Sequence, residues 1–344
     1  MTYENGQLNI FKVTAKETEK VIGEVKEAYD LAYNEITNEI NKIYLKLEGV
    51  DPTNYYSEMI KLNRLEKLQD EIADVMGETF KTSNAATLEA EKLAISNAYY
   101  RNIYQYSSFV DMSFIALDNN LIEYAATGNY EAWKKIKDKI DNAKIYTPSQ
   151  GTLSSLLKEN NEEALSKLRK TIDSGFIQSK SYKEMSKDIK EVFDGIDGNG
   201  GIKYKALRIA RTEGGRNLSL GYIQSTEQAV KQGIDMEKMW LAAFSNTRDS
   251  HKSADRQKVP VNESFTVKGE KLIAPRVGDG IVSASNVVNC QCTTINIIDG
   301  VNPKLRRVRN PKTGENEVFS FDKFDEWIKE NGVNYNKSGR LVKK

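Results

Sequence analysis

The stretch from Thr14 to Leu47 constrains this chain most. Its apolar positions Val21, Val25, Ala28, Ala32, Ile36, Ile40, Ile43 and Leu47 recur every three or four residues. An α-helix turns once in about 3.6 residues, so this spacing lines the apolar side chains along one face. Such a stripe demands a long helix whose face is covered by other elements. Thr14 with Glu17 three residues on predicts a capping-box start, and Gly49 before Asp51-Pro52 predicts the stop. A second stripe carries Leu62, Leu65, Leu68, Ile72 and Val75. A third, from about Ala85 to Val110, carries Leu93, Tyr99, Tyr100, Ile103, Tyr104 and Tyr106. Helix-on-helix packing is the expected fate of these faces. The tyrosines, large in area and polar at the tip, equally suit docking on a partner.

The polar run Thr147-Pro148-Ser149-Gln150-Gly151-Thr152 ends this helical half and predicts a domain boundary. Helical spacing resumes at Leu165, Leu168 and Ile172, then at Ile189, Val192 and Phe193. Residues 194–201 are rich in Asp, Asn and Gly but lack the alternating ligands and closing Glu of a calcium loop, so they read as a turn. A helix is expected from near Lys203 to Lys231. Beyond Gly233 the pattern changes: Lys238 to Phe244, Val259 to Val267 and Val287 to Ile298 read as short strands, interrupted by Pro260, Pro275 and glycines. The expected fold class is therefore α+β, a long, mainly helical amino-terminal half followed by a module of helices and a small β-sheet. The expected domains are 1–150, helical; 151–300, the α+β module; and 301–344, a basic linker, a short helix around Phe321 to Glu330 and a fraying tail.

Charge narrows the function classes. Lys and Arg number 50 against 49 Asp and Glu. There is no global field of one sign, and any nucleic-acid contact must come from a local patch. The candidate patch is Lys304, Arg306, Arg307, Arg309 and Lys312, which a solvated linker would explain as well. No run approaches the roughly 18 apolar residues of a membrane span. The amino terminus carries no export signal, so the chain is expected to be made and kept in a cytoplasm, at least until something else exports it.

Two residue types that carry chemistry are scarce. His251 is the single histidine, and Cys290 and Cys292 are the two cysteines. A disulfide between residues two apart would close a strained ring. His251, Asp255, Cys290 and Cys292 could instead hold a structural zinc, which prefers nitrogen and sulfur in a tetrahedron. The plainer alternative makes the cysteines small buried hydrophobes and bonds the histidine to a carboxylate. A catalytic alternative uses His251 as general base with Glu213, while Arg248, Arg211 and Arg256 steady a phosphoryl group, as in a nuclease or nucleotide-transferring enzyme. Arg211 and Glu213 also read as ion-pairing residues that pin their helix to the sheet.

The order Ala210-Arg211-Thr212-Glu213, Arg216-Asn217, Trp240, Arg248-Asp249-Ser250-His251, Asp255, Phe265, Pro275 and Asn289-Cys290-Gln291-Cys292 resembles the Mu F-like head morphogenesis family of tailed phages. The resemblance covers roughly residues 160 to 298. Members commonly have Asp-Gly where this chain has Asp255-Arg256, and Asn-Cys-Arg-Cys where it has Gln291. The resemblance implies a minor head (minor capsid) protein present in few copies in the virion. It also implies binding to the portal protein, with scaffold or major capsid protein and packaged double-stranded DNA as further partners, and exit with the DNA in some relatives. On this view the helical half faces the portal or scaffold. Some relatives add a toxin domain after the shared module; the roughly 45 residues that follow it here are expected to be too few for one.

Overall fold

The structure is a computed structural model, describing residues 3–128, 130–136, 153–243, 247–298, 328–337 and 340–343. Among these residues the fold is α+β, with long helices first and small antiparallel sheets in the carboxy-terminal part. The helices are α1 (Tyr3–Lys46), α2 (Tyr55–Ile60), α3 (Arg64–Ser107), α4 (Asn119–Thr127), α5 (Tyr130–Ile136), α6 (Leu153–Ile177), α7 (Tyr182–Asp194), α8 (Ile202–Lys231), α9 (Asp249–Ser253) and α10 (Ala284–Val287). Two compact units form: residues 1–20, 88–153 and 211–344 in one, residues 21–87 and 154–210 in the other.

The second unit is a helix cluster. Val25, Tyr29, Ala32, Ile36 and Ile40 of α1 bury their stripe against Leu68, Ile72 and Met76 of α3, Leu168, Ile172 and Phe176 of α6, and Met185, Ile189 and Phe193 of α7. Burying one such Leu, Ile or Phe contributes about 1.5–3 kcal/mol, so the stripes are the main stabilising term. Ser181 and Glu184 close a reciprocal capping box at the start of α7. Residues 194–201, expected as a turn, form a hairpin of β1 (Gly195–Ile196) and β2 (Asn199–Gly200). Asp197 and Gly198 at its tip both have positive φ, 53° and 76°, the conformation that a two-residue hairpin turn requires.

Two sequence expectations change here. Thr14 does not start a helix: α1 begins at Tyr3, and Thr14 is buried within it. In the first unit the Arg101 guanidinium donates to Thr14 Oγ1 at 3.0 Å and to both Glu17 oxygens at 2.7 Å, so the capping-box pair instead anchors α1 to α3. The second and third stripes form one helix, α3. The polar stretch between them continues the helix, and hydroxyls such as that of Thr79 are satisfied within it by bonding back to the carbonyl four residues earlier.

The first unit packs helices against sheet. Strands β3 (Met236–Leu241), β4 (Lys258–Pro260) and β8 (Thr293–Ile298) form an antiparallel sheet in the order β4-β3-β8. Strands β5 (Phe265–Val267), β6 (Glu270–Ala274) and β7 (Val277–Gly278) form a second antiparallel sheet, β5-β6-β7. A ribbon of β9 (Val333–Tyr335) and β10 (Leu341–Lys343) completes the set. Successive strand residues face opposite sides. Met239 and Leu241 pack with Ile295, Ile297 and Leu8 of α1, whereas Trp240 packs with Phe265 on the other face. The edge of β8 is covered: Gln7 Oε1 accepts from the Asn296 backbone N–H at 2.7 Å. Tyr99, Tyr100, Ile103 and Tyr106 of α3 join Leu220 and Ile223 of α8 in the largest core of this unit. The third stripe's tyrosines therefore pack internally, with the half-buried Tyr104 at the margin of this core.

Candidate metal centre

Trp240 on β3 is fully buried and meets two rings edge-on, Phe265 at 5.4 Å and His251 at 5.6 Å. Arg248, extended, leads into the single-turn helix α9, which aims His251 inward. After α9 the chain turns sharply. The Asp255 carboxylate accepts from the Ala242 backbone N–H at 2.8 Å, and Arg256 adopts φ +63°. That is the left-handed region that glycine occupies without steric cost. The related family's Asp-Gly thus marks a real backbone requirement. This chain keeps the turn with an arginine.

Cys290 and Cys292 stand on a loop before β8, not on a strand as the β-branched run suggested. Asn289 at φ +52° breaks the extended path, and the Asn289 N–H donates to Thr212 Oγ1 of α8 at 3.2 Å. The loop brings Cys290 Sγ to 3.4 Å and Cys292 Sγ to 3.5 Å from His251 Nδ1. The three possible ligand atoms lie within 4.8 Å of one another, and all three residues are buried. The Ala243 N–H donates to the Cys292 sulfur. Among the described residues the His251 Nε2 has no hydrogen-bond partner.

Arg276 completes the surroundings, as another residue at positive φ, +69°, with its guanidinium wholly buried. It donates to the Cys290 carbonyl and, at 3.2 Å, to the Ser219 hydroxyl. The neighbouring Cys292, the His251 ring and the Arg276 charge hold the Cys290 thiol well below its ordinary range despite burial. Next to that sulfur, and buried itself, Cys292 is pushed up. Gln291, where relatives commonly have arginine, is exposed. The positive charge beside these cysteines comes from Arg276 instead.

The donor set suits zinc. Zinc–sulfur bonds of about 2.3 Å and zinc–nitrogen bonds of about 2.0–2.1 Å in a tetrahedron separate N and S by about 3.5 Å. The two N–S distances here match that edge. The group comprises His251, Cys290 and Cys292, and the Asp255 oxygen that was a candidate fourth ligand holds the Ala242 amide instead.

The residues proposed for catalysis are each engaged by separate partners. Arg211 pairs with Glu19 at 2.9 Å, Arg248 donates to the Val288 carbonyl at 2.5 Å, and Glu213 pairs with Arg216 at 2.7 Å. His251 is 1% exposed. Lys304, Arg306, Arg307, Arg309 and Lys312 lie outside the described residues. Among the buried charges that sequence reasoning missed are Arg276 and Glu91. The signal for Arg276 was a lone charge inside the apolar run Leu272-Ile273-Ala274-Pro275-Arg276-Val277. Glu91 gave none.

Comparison with known proteins agrees with the resemblance read from these motifs. The family described as Phage Mu protein F like protein matches residues 166–295. The chain is 26% identical over 302 residues to minor head protein GP7 of Bacillus phage SPP1, covering 86% of this chain and 88% of that protein. It is 37% identical over 177 residues to NAD(+)–arginine ADP-ribosyltransferase EFV of Enterococcus faecalis, covering 51% of this chain and spanning about a third, 34%, of that protein. No solved structure matches.

Proposed function

We propose that this chain, with its Mu F-like stretch at residues 166–295, is a minor head protein of a tailed bacteriophage, carried in the virion near the portal. The observation that supports this best is the similarity to the SPP1 minor head protein, which extends over 86% of the chain and so includes much of the helical half. The similarity to the ADP-ribosyltransferase covers 34% of that protein, and an activity named for the whole does not follow from a third of it.

In this reading the helical half binds the portal ring or neighbouring scaffold or capsid subunits. The patch Lys304, Arg306, Arg307, Arg309 and Lys312 touches packaged DNA weakly and without sequence preference, and the protein leaves with the DNA. Neutralising a few phosphates makes such binding fall steeply as salt rises. Reversing the charges of Arg306, Arg307 and Arg309 should abolish that salt-dependent binding in a filter or gel-shift assay; unchanged binding removes the patch from the account. His251, Cys290 and Cys292 hold a structural zinc. The bound ion supplies a cross-link between α9 and the cysteine loop, which adds folding free energy rather than chemistry.

Interrupting the reading frame in the phage genome tests the assignment. Heads should form and fill, yet infectious particles should drop, with recovery when the protein is supplied in trans. Undiminished infectivity would overturn the assignment.

A further inference from the structure

The motif Ala210-Arg211-Thr212-Glu213-Gly214-Gly215-Arg216-Asn217-Leu218-Ser219 gives α8 two working faces. Glu213, Arg216 and Asn217 turn toward α3 and α4. Arg216 pairs with Glu213 and donates to the Ala125 carbonyl at 2.9 Å, and Asn217 donates to Glu91 at 2.9 Å. Thr212, Gly215 and Ser219 recur at helical spacing on another face, and each meets the cysteine loop or Arg276. Thr212 Oγ1 accepts from the Asn289 N–H. Ser219 Oγ donates to the Pro275 carbonyl at 2.9 Å and accepts from Arg276. Between them Gly215 leaves a gap: a Cβ there would sit 2.8 Å from Arg276 Nε and 3.0 Å from its Cδ and Cζ. Because Arg276 is wholly buried, its side chain cannot swing clear of such a methyl.

We propose that the Thr212–Gly215–Ser219 face of α8, together with Arg276, is a seat that presets the cysteine loop for metal. The affinity of the His251–Cys290–Cys292 centre then depends on side chains that never touch the ion. Arg276 is a positioning residue: its guanidinium fork spans from the Ser219 hydroxyl to the Cys290 carbonyl and sets where that cysteine's backbone lies. Gly215 is required because the fork passes over it. Outer partners of metal ligands commonly change affinity about 10–100-fold when removed. This proposal rests on the zinc reading above.

The test uses the full chain stripped of metal and titrated with Zn2+ or Co2+ alone, in competition with a chromophoric chelator. Thiolate-to-cobalt absorption reports whether the cysteines bind. Melting in chelator is measured first, so that a loss of fold is not mistaken for a loss of affinity. Gly215→Ala and Arg276→Lys should each bind both ions about 10–100-fold more weakly than the parent. Gly23→Ala, at a glycine in α1 with nothing within 4 Å of an added Cβ, should bind as the parent does. Cys292→Ser should lose the cobalt–thiolate band. Should Gly215→Ala not fold, Arg276→Lys carries the test, since it keeps the charge and breaks the fork. Parent-like affinity in the folded variants overturns the seat while leaving the metal site intact. A parent that binds neither ion overturns the metal reading, and the seat falls with it.

Discussion

Glu91 is a carboxylate with no exposed surface, facing Glu213 and Arg216 of α8 and bonded by Asn217. Burial first, then the Glu213 charge, raises its pKa well above the ordinary value of 4.5, with Arg216 and Asn217 opposing. Below pH 4.5 folded and unfolded chains both hold this proton. Above it the unfolded chain releases the proton while the folded one keeps it, so stability falls as pH rises until the folded group ionises. Denaturant melts should therefore show Glu91→Gln gaining on the parent as pH rises above about 4.5. A difference independent of pH contradicts this. Arg256 offers a second check at this scale. A non-glycine residue in the left-handed region costs about 1–2 kcal/mol, so Arg256→Gly should raise thermal stability by roughly 1 kcal/mol, whereas a loss would mean the arginine side chain stabilises the turn. The histidine and two cysteines of the candidate metal group were legible because both types are so scarce in this chain. Glu91 was hidden because an acidic residue on a helix reads as solvent-facing until the packing of α8 is known.

Among the elements, α8 crosses α3 closely at Gly221. An added Cβ would lie 2.3 Å from the Ile95 carbonyl oxygen and 2.9 Å from Ala98 Cβ. Gly221→Ala should cost about 1–3 kcal/mol in a thermal or denaturant melt. Gly77, inside α3 with nothing within 4 Å, should behave oppositely, and Gly77→Ala should add up to about 1 kcal/mol. Equal effects at the two glycines would contradict the packing described. The proposed zinc cross-link between α9 and the cysteine loop predicts a higher melting temperature with zinc in the parent and none of that gain in Cys292→Ser. At 100 times its dissociation constant an ion bound only by the folded chain adds about 2.7 kcal/mol. Long helices were legible from their stripes. Less visible were the true start of α1 and the unbroken run of α3, since buried threonines satisfied within the helix leave no apolar mark. The β6–β7 hairpin was missed because strands of five and two residues around a proline are too short to show alternation.

For the molecule as a whole, an apolar stripe tells that a face is buried but not what covers it. Domains 1–150 and 151–300 were inferred from chain order, while the compact units draw on α1, α3 and α8 in both. That pairing is set by tertiary contacts that no local pattern encodes. The resemblance to the Mu F-like family was legible because the residues that carry it are polar, spaced and ordered, and the match over residues 166–295 agrees with them. Near-neutral charge, 50 basic against 49 acidic residues, fits a protein held in place by other proteins rather than by DNA along its whole surface. The most direct test of the central proposal is quantitative mass spectrometry of purified phage particles before and after triggered DNA release. The account predicts a few copies per virion, with depletion from the emptied shells. Absence of the protein from intact virions would contradict it.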